Sequence, residues 1–140
     1  MNALVPVIDY PELNHKFRTY RVNNRDKYEG YGISIHTEDI QPSKPSHRLV
    51  YPLIEIEPSS PADKDGMRNG QRIVAVNGDY VNLELANLDD VVRAIEDSYY
   101  TQNLTDFIVL DQHLWDEFME KHNLIAELAK LKNNTTVYSF

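Results

Sequence analysis

Cysteine is absent from this 140-residue chain. That excludes a disulfide framework, a thiolate zinc site and a cysteine nucleophile together. Basic charge is in short supply: 14 Lys and Arg face 22 Asp and Glu, for a net charge of −8. A surface that tracks phosphates needs the opposite sign, so nucleic acid is not an expected partner. No apolar run reaches the length of a membrane span. The first residues lack the basic and apolar segments of a secretory signal. A cytoplasmic domain is therefore expected, recruited to the inner face of the plasma membrane only through partners, and the sequons at Asn103, Asn133 and Asn134 are expected to be unused. Catalytic signatures are missing too. There is no Gly-x-Ser-x-Gly elbow, phosphate loop, His-Glu-x-x-His or Gly-x-Gly-x-x-Gly. His113, Glu117 and Glu120 share a helical face but read as solvated charge, because nothing fixes a second layer around a metal. No catalytic residue, metal or cofactor is expected.

What is present is a core. Hydrophobic residues make up 41% and charged residues 26% of the chain, the balance of a single globular domain. Met1 to Lys16, with Pro6 and Pro11, reads as an extended N-terminal arm. Phe17–Val22 and the alternating Ile33–His36 read as strands. Glu38–His47, with Pro42 and Pro45, reads as a long loop. Leu49–Ile56 is rich in strand formers, and Pro52 within it asks for an edge or a bulge. Ser60-Pro61-Ala62-Asp63 has a cap, a first-turn proline and an acid at the capping-box position, and Gly66 stops the helix early. Arg72–Val76 reads as a buried strand, and Asn77-Gly78 as a type I′ hairpin turn. Asn87 caps the clearest helix, with Asp89 and Asp90 in its first turn. Its apolar positions Leu88, Val91, Val92 and Ile95 form one face. Leu104–Leu110 reads as the last strand, and His113–Lys132 as helical, with Leu114, Phe118, Ile125, Leu128 and Leu131 near one stripe and Asn123 a candidate cap for a second helical piece.

Gly30-Tyr31-Gly32-Ile33 is the segment with chemistry in it. Two glycines before a strand allow neighbouring amides to point the same way, and convergent amides bind an anion. Together with the motifs downstream of it, in their order along the chain, it resembles a PDZ domain of an animal scaffold or adaptor protein. Gly30-Tyr31-Gly32-Ile33 matches that family's Gly-Leu-Gly-Phe loop. Ser60-Pro61-Ala62, then Gly66-Met67 and Gly70-x-Arg72-Ile73, match its next stretch, Asn77-Gly78 its hairpin, and Asp89-Asp90-Val91-Val92 its groove helix. The resemblance spans about Phe17 to Asp111. Val109-Leu110-Asp111 and the acids after it are similar to exchanger-regulatory scaffolds. Glu38–His47 and Glu57-x-Ser59-Ser60-Pro61-Ala62 are similar to tamalin-like, cytohesin-interacting ones.

The resemblance implies a mainly β fold with two helices, a six-stranded partly open sandwich or barrel, plus an additional C-terminal helix. It divides the chain into an arm (1–16), a PDZ domain (17–111), a helical extension (112–132) and a tail (133–140). It implies a groove that binds the free C-terminal peptides of membrane receptors, transporters or signalling proteins by strand addition. The amides of Tyr31, Gly32 and Ile33 would hold the peptide carboxylate, supported by Arg25 or Lys27. Ile33, Ile35, Val92 and Ile95 would line the pocket for the last side chain. Leu88 would meet the third-from-last one. Many family members have histidine there; leucine asks for an apolar or aromatic partner. Val137-Tyr138-Ser139-Phe140 has such a pattern and is itself a candidate ligand, expected in the groove of a neighbouring molecule. Two alternatives stand beside the scaffold module: a self-assembling structural protein joined through residues 137–140, and a small hydrolase.

Overall fold

The computed structural model describes residues 6–24, 29–40, 49–126 and 132–140, with the backbone alone at 38–40 and 132–136. A short 3-10 turn, Val7–Asp9, leads into α1 (Pro11–Asn14), β1 (Arg18–Asn23), β2 (Ile33–Ile40), β3 (Leu49–Ile56), α2 (Pro61–Lys64), β4 (Arg72–Val76), β5 (Asp79–Tyr80), α3 (Leu88–Gln102), β6 (Leu104–Leu110), α4 (Gln112–Lys121) and β7 (Lys132–Ser139). The strands form one antiparallel sheet in the order β1-β6-β4-β3-β2-β7, with β5 hairpinned on β4. β1 and β7 are its two ends, so the sheet stays open. The six strands expected from the sequence are β1–β6; β7 is added by the tail.

Alternation explains which faces are buried. In β6, Thr105, Phe107 and Val109 are buried while Leu104, Asp106 and Ile108 are half exposed. Phe107 packs with Ile33, Ile54, Ile73, Val91 and Ile95 in a core closed by α3. The α3 N-terminus is capped as its sequence asks: Asn87 Oδ1 accepts from the Asp90 amide at 3.0 Å, and Asp90 Oδ2 accepts from the Ala86 amide at 3.0 Å. Such a cap contributes about 1 kcal/mol. The helix ends where Asn103 turns left-handed at φ 56°. Across β1 and β6, the Arg21 guanidinium donates to both Asp106 oxygens, at 2.8 and 3.1 Å. That hydrogen bonding holds the Asp106 carboxyl below its ordinary pKa.

Pro52 is not at an edge, since β3 lies between β2 and β4. It sits in a bulge: pairing steps from His36–Leu53 to Glu38–Val50, so β3 carries one extra residue around Tyr51 and Pro52.

Several expectations need correction. The N-terminal arm is not extended from Val7 onward. Pro11 starts α1, and Val7 and Leu13 are buried. The segment is tied to β3 and α4: the Val7 amide donates to the Tyr51 hydroxyl, Tyr10 meets Phe118 edge-on at 4.5 Å, and Lys121 Nζ pairs with Glu12 Oε2 at 2.7 Å. The Glu38–His47 loop begins later, because β2 continues through Ile40 on the support of β7; residues 41–47 lie outside the described residues. The helix expected over His113–Lys132 is split: α4 stops at Lys121, Asn123 takes a left-handed φ of 55°, and helix resumes at Ile125 and Ala126, in keeping with the second piece expected after Asn123. That turn resets the helical phase, so Leu124 is buried and Ile125, expected on the apolar stripe, is 57% exposed. Leu128 and Leu131 lie outside the described residues. The packing of α4 on the domain is as expected: Trp115 and Phe118 are buried, Trp115 meets Tyr51 at 5.3 Å, and the Arg72 guanidinium lies 5.3 Å above the Trp115 ring.

Candidate functional site: the groove between β2 and α3

The glycine loop is built to expose two amides. Gly30 and Gly32 both have positive φ, 85° and 79°. Between them Tyr31 turns its side chain fully inward, where its hydroxyl bonds Thr105 Oγ1 at 2.8 Å and its ring meets Tyr99 edge-on at 5.0 Å. Burial pushes the Tyr31 phenol pKa up. The loop's carbonyls are held from the other side: Tyr31 O accepts from the Ala62 amide at 3.1 Å, and Gly32 O from the Glu57 amide at 2.9 Å. A Cβ on Gly32 would lie 2.1 Å from Ser60 Cβ, so the start of α2 leaves room for glycine alone.

What those amides meet is the end of the same chain. The amides of Gly32 and Ile33 donate to the main-chain oxygen of Phe140 at 2.9 and 3.2 Å, and the Phe140 amide donates back to Ile33 O at 2.8 Å. β7 then runs antiparallel along β2, with Ser139 opposite Ser34, Tyr138 opposite Ile35 and Val137 opposite His36. A Cβ on Gly30 would lie 2.8 Å from the Phe140 carbonyl carbon, so this glycine permits the close approach.

Register fixes the faces. The Ser34 and Ser139 hydroxyls lie 3.4 Å apart on the exposed side. Side chains alternate, so Phe140 and Tyr138 share the other side with Ile33 and Ile35, towards the core. Phe140 packs on the core edge and lines a small cleft with Glu96, Tyr99 and Tyr100 of α3.

Of the expected site residues, Gly32 and Ile33 converge on one oxygen, while Tyr31 contributes its ring to the core and its carbonyl to α2. Arg25 and Lys27 lie outside the described residues. Ile33, Ile35 and Ile95 are buried, and Leu88 and Val92 are half-buried on α3. Glu96, Tyr99 and Tyr100 are additions that the sequence reading lacks. Val92, Glu96 and Tyr99 continue the Leu88 stripe at helical spacing, which is the signal that could have found them. The tail, expected on a neighbour, is seated on its own β2. β7 begins at Lys132, where the helical extension was expected to end, and runs back along β2.

On the exposed side, Glu29, Glu55 and Glu57 surround Ser139 in a cleft of about 540 Å³. His36 Nε2 lies 2.8 Å from Glu55 Oε1. The groove thus offers main-chain donors at its closed end, an apolar side and an acidic rim, and no nucleophile with an adjacent base among the described residues. Among those residues no three His, Asp or Glu side chains gather as a metal site, and no helix is long and apolar enough to cross a membrane.

A strand-helix groove beside a glycine loop in an open antiparallel sheet is the arrangement expected from the PDZ resemblance. Residues 54–99 match the family model described as PDZ domain. The matched segment runs from the end of β3 through most of α3 and does not include the glycine loop or β2. Among solved structures, the chain is similar to the N-terminal PDZ domain of InaD in complex with a NorpA C-terminal peptide, at 20% identity and a TM-score of 0.48, covering 66% of this chain and 94% of that one. It is also similar to INAD PDZ3 in complex with a TRP channel tail, at 20% identity and a TM-score of 0.49, covering 71% of this chain and 90% of that one.

Proposed function

We propose that this chain is a protein-interaction module of the scaffold or adaptor kind, not an enzyme, and that it binds C-terminal peptides of partner proteins by adding them as a strand to β2. The observation that carries this reading is the pair of amides, Gly32 and Ile33, meeting one oxygen of a chain end whose preceding residues lie antiparallel on β2. A partner's C-terminus would take the place of β7. Its carboxylate would receive the same two amides, with Tyr31 N–H, Arg25 or Lys27 as further donors. Its last side chain would enter beside Ile33, Ile35, Val92 and Ile95. Its third-from-last side chain would face Leu88, and the fit there is apolar or aromatic. The partners in this reading are cytoplasmic tails of receptors, transporters or signalling proteins, and the domain spans 17–111 with the arm and α4 as its buttress.

The tail then acts as an internal competitor. If it closes the groove 99% of the time, a partner's apparent affinity falls about 100-fold. A library of random peptides with free C-termini tests the proposal: the selected peptides should end in an apolar residue with an apolar or aromatic third-from-last one. Selection of internal sequences with no such pattern would overturn it.

A second reading rests on the identity of the occupant. The same tail can be exchanged between copies, which would make head-to-tail rings or filaments. Light scattering over a dilution series separates the two: mass that rises with concentration and falls to the monomer on removing Tyr138–Phe140 supports exchange.

A further inference from the structure

We propose that the partner peptides preferred by this groove carry Lys or Arg as their second-from-last residue, and that this charge helps them displace the chain's own tail. The inference rests on the strand-addition reading above. Ser139 holds the corresponding place in β7. It lies in one row with Ser34 of β2 and Glu55 of β3, three strands side by side. Neighbouring strands are ~4.8 Å apart, so the Cα atoms at 139 and 55 are separated by about 10 Å. A lysine or arginine at the ligand position, extended across Ser34, covers that gap; serine does not.

The cleft around this row is acidic. Glu29, Glu55 and Glu57 line it, and no Lys or Arg does among the described residues. Among the described residues the Ser139 hydroxyl has only the Ser34 hydroxyl, at 3.4 Å. Glu55 has His36 at 2.8 Å, and its side chain is still 63% exposed, open to a second donor. Glu29 and Glu57 make no ion pair among the described residues. The tail therefore leaves the charge of the rim unanswered. An arginine would bring five N–H donors in a fork suited to carboxylates. The net charge of −8 draws the same ligands from a distance. A glutamate at this ligand position would be repelled.

The test uses the full chain and three labelled peptides with free carboxylates, ending Val-Tyr-Ser-Phe, Val-Tyr-Arg-Phe and Val-Tyr-Glu-Phe. Their affinities are read by fluorescence anisotropy at low salt. The tail competes equally with all three, so its effect cancels in the ratios. The Arg peptide should bind about 2–5-fold tighter than the Ser peptide, and the Glu peptide weaker than both. In Glu55→Gln/Glu57→Gln the Arg-to-Ser ratio should fall towards one, and ~0.5 M salt should shrink it in the unaltered chain. Equal affinities for the Arg and Ser peptides would overturn the inference and leave strand addition standing. Failure of all three to bind both the full chain and the Phe140→Ala chain, whose tail lacks its anchoring ring, would overturn both.

Discussion

Replacing Gly32 by alanine isolates the contact that shapes the glycine loop. Two costs are expected. At φ +79° a residue with a Cβ is strained, by about 1–2 kcal/mol. The new methyl would also fall 2.1 Å from Ser60 Cβ and 2.5 Å from Ser60 Oγ. Ser60 cannot yield easily: it is fully buried and its hydroxyl caps α2 by accepting from the Asp63 amide at 3.3 Å. Overpacking of that kind adds about 1–3 kcal/mol. The sum is a loss of roughly 2–5 kcal/mol, a large share of a domain's stability. Gly78→Ala is the control. Its φ is +87° and nothing stands within 4 Å of the built Cβ, so strain alone should cost ~1–2 kcal/mol. Gly30→Ala falls between in cause: the strain is similar, but the clash at 2.8 Å is with the Phe140 carbonyl carbon, which can leave. That variant should lose its β7 pairing before its core. Urea unfolding at unchanged slope measures the first two, and amide exchange at Ile33 and Ile35 reads the third. Equal losses for Gly32→Ala and Gly78→Ala would refute the claim that Ser60 fixes the loop.

Other substitutions probe the groove and its frame. Leu88→His should move the selected peptides towards Ser or Thr at the third-from-last position, by about 10–200-fold in relative affinity; an unchanged library profile would mean that residue 88 does not face the ligand. Trp115→Ala should cost about 3–5 kcal/mol in thermal unfolding, since it removes a buried ring packed on Tyr51 and Arg72. Asp106 is held ionised by Arg21, so its folded pKa lies below the unfolded one. The pairing therefore adds stability above pH ~4, and that contribution is lost as pH falls through the folded value. Arg21→Gln should narrow the difference in stability between pH 6 and pH 3; an unchanged difference would show that the pair carries none of it.

Much of the groove can be read from local chemistry, because its parts are local. Ser60 and Pro61 at a helix start, Asn77-Gly78 at a hairpin and Asn87 before an apolar stripe each act within a few residues, and all three act in the structure as their types demand. The glycine loop is legible for the same reason: positive φ leaves few choices besides glycine. The tail is not legible as a strand on its own chain. Asn134-Thr135-Thr136-Val137-Tyr138 has the β-branched and aromatic residues of a strand, but a single strand has no stability until an edge receives it, and the edge is β2, about 100 residues earlier. The arm is hidden in a similar way. Val7, Tyr10 and Leu13 show no clear period; Val7 and Leu13 are buried and Tyr10 half-buried through contacts with distant elements, Tyr51 of β3 and Phe118 of α4. Ile125 has the spacing of an apolar stripe, but a left-handed residue at Asn123 interrupts it. Glu96 follows Ile95 and Tyr99 and Tyr100 lie about one turn beyond it, beside Phe140; helical spacing puts Glu96 and Tyr99 on the Leu88 stripe, but it does not mark how far along that stripe a ligand reaches.

The central claim is that the Gly32 and Ile33 amides form a site for a peptide's terminal carboxylate. Chemical-shift mapping on the Phe140→Ala chain, which withdraws the anchoring ring of the tail, tests it most directly. The titrants are two peptides ending Val-Tyr-Ser-Phe, one with a free carboxylate and one amidated. Hydrogen bonds to a charged group contribute about 1.5–3 kcal/mol each, so the free acid should bind and the amide should not. The account predicts the largest shifts at the amides of Gly32, Ile33 and Ile35 with the free acid alone. Shifts centred elsewhere, or an amidated peptide that binds as well, would contradict it.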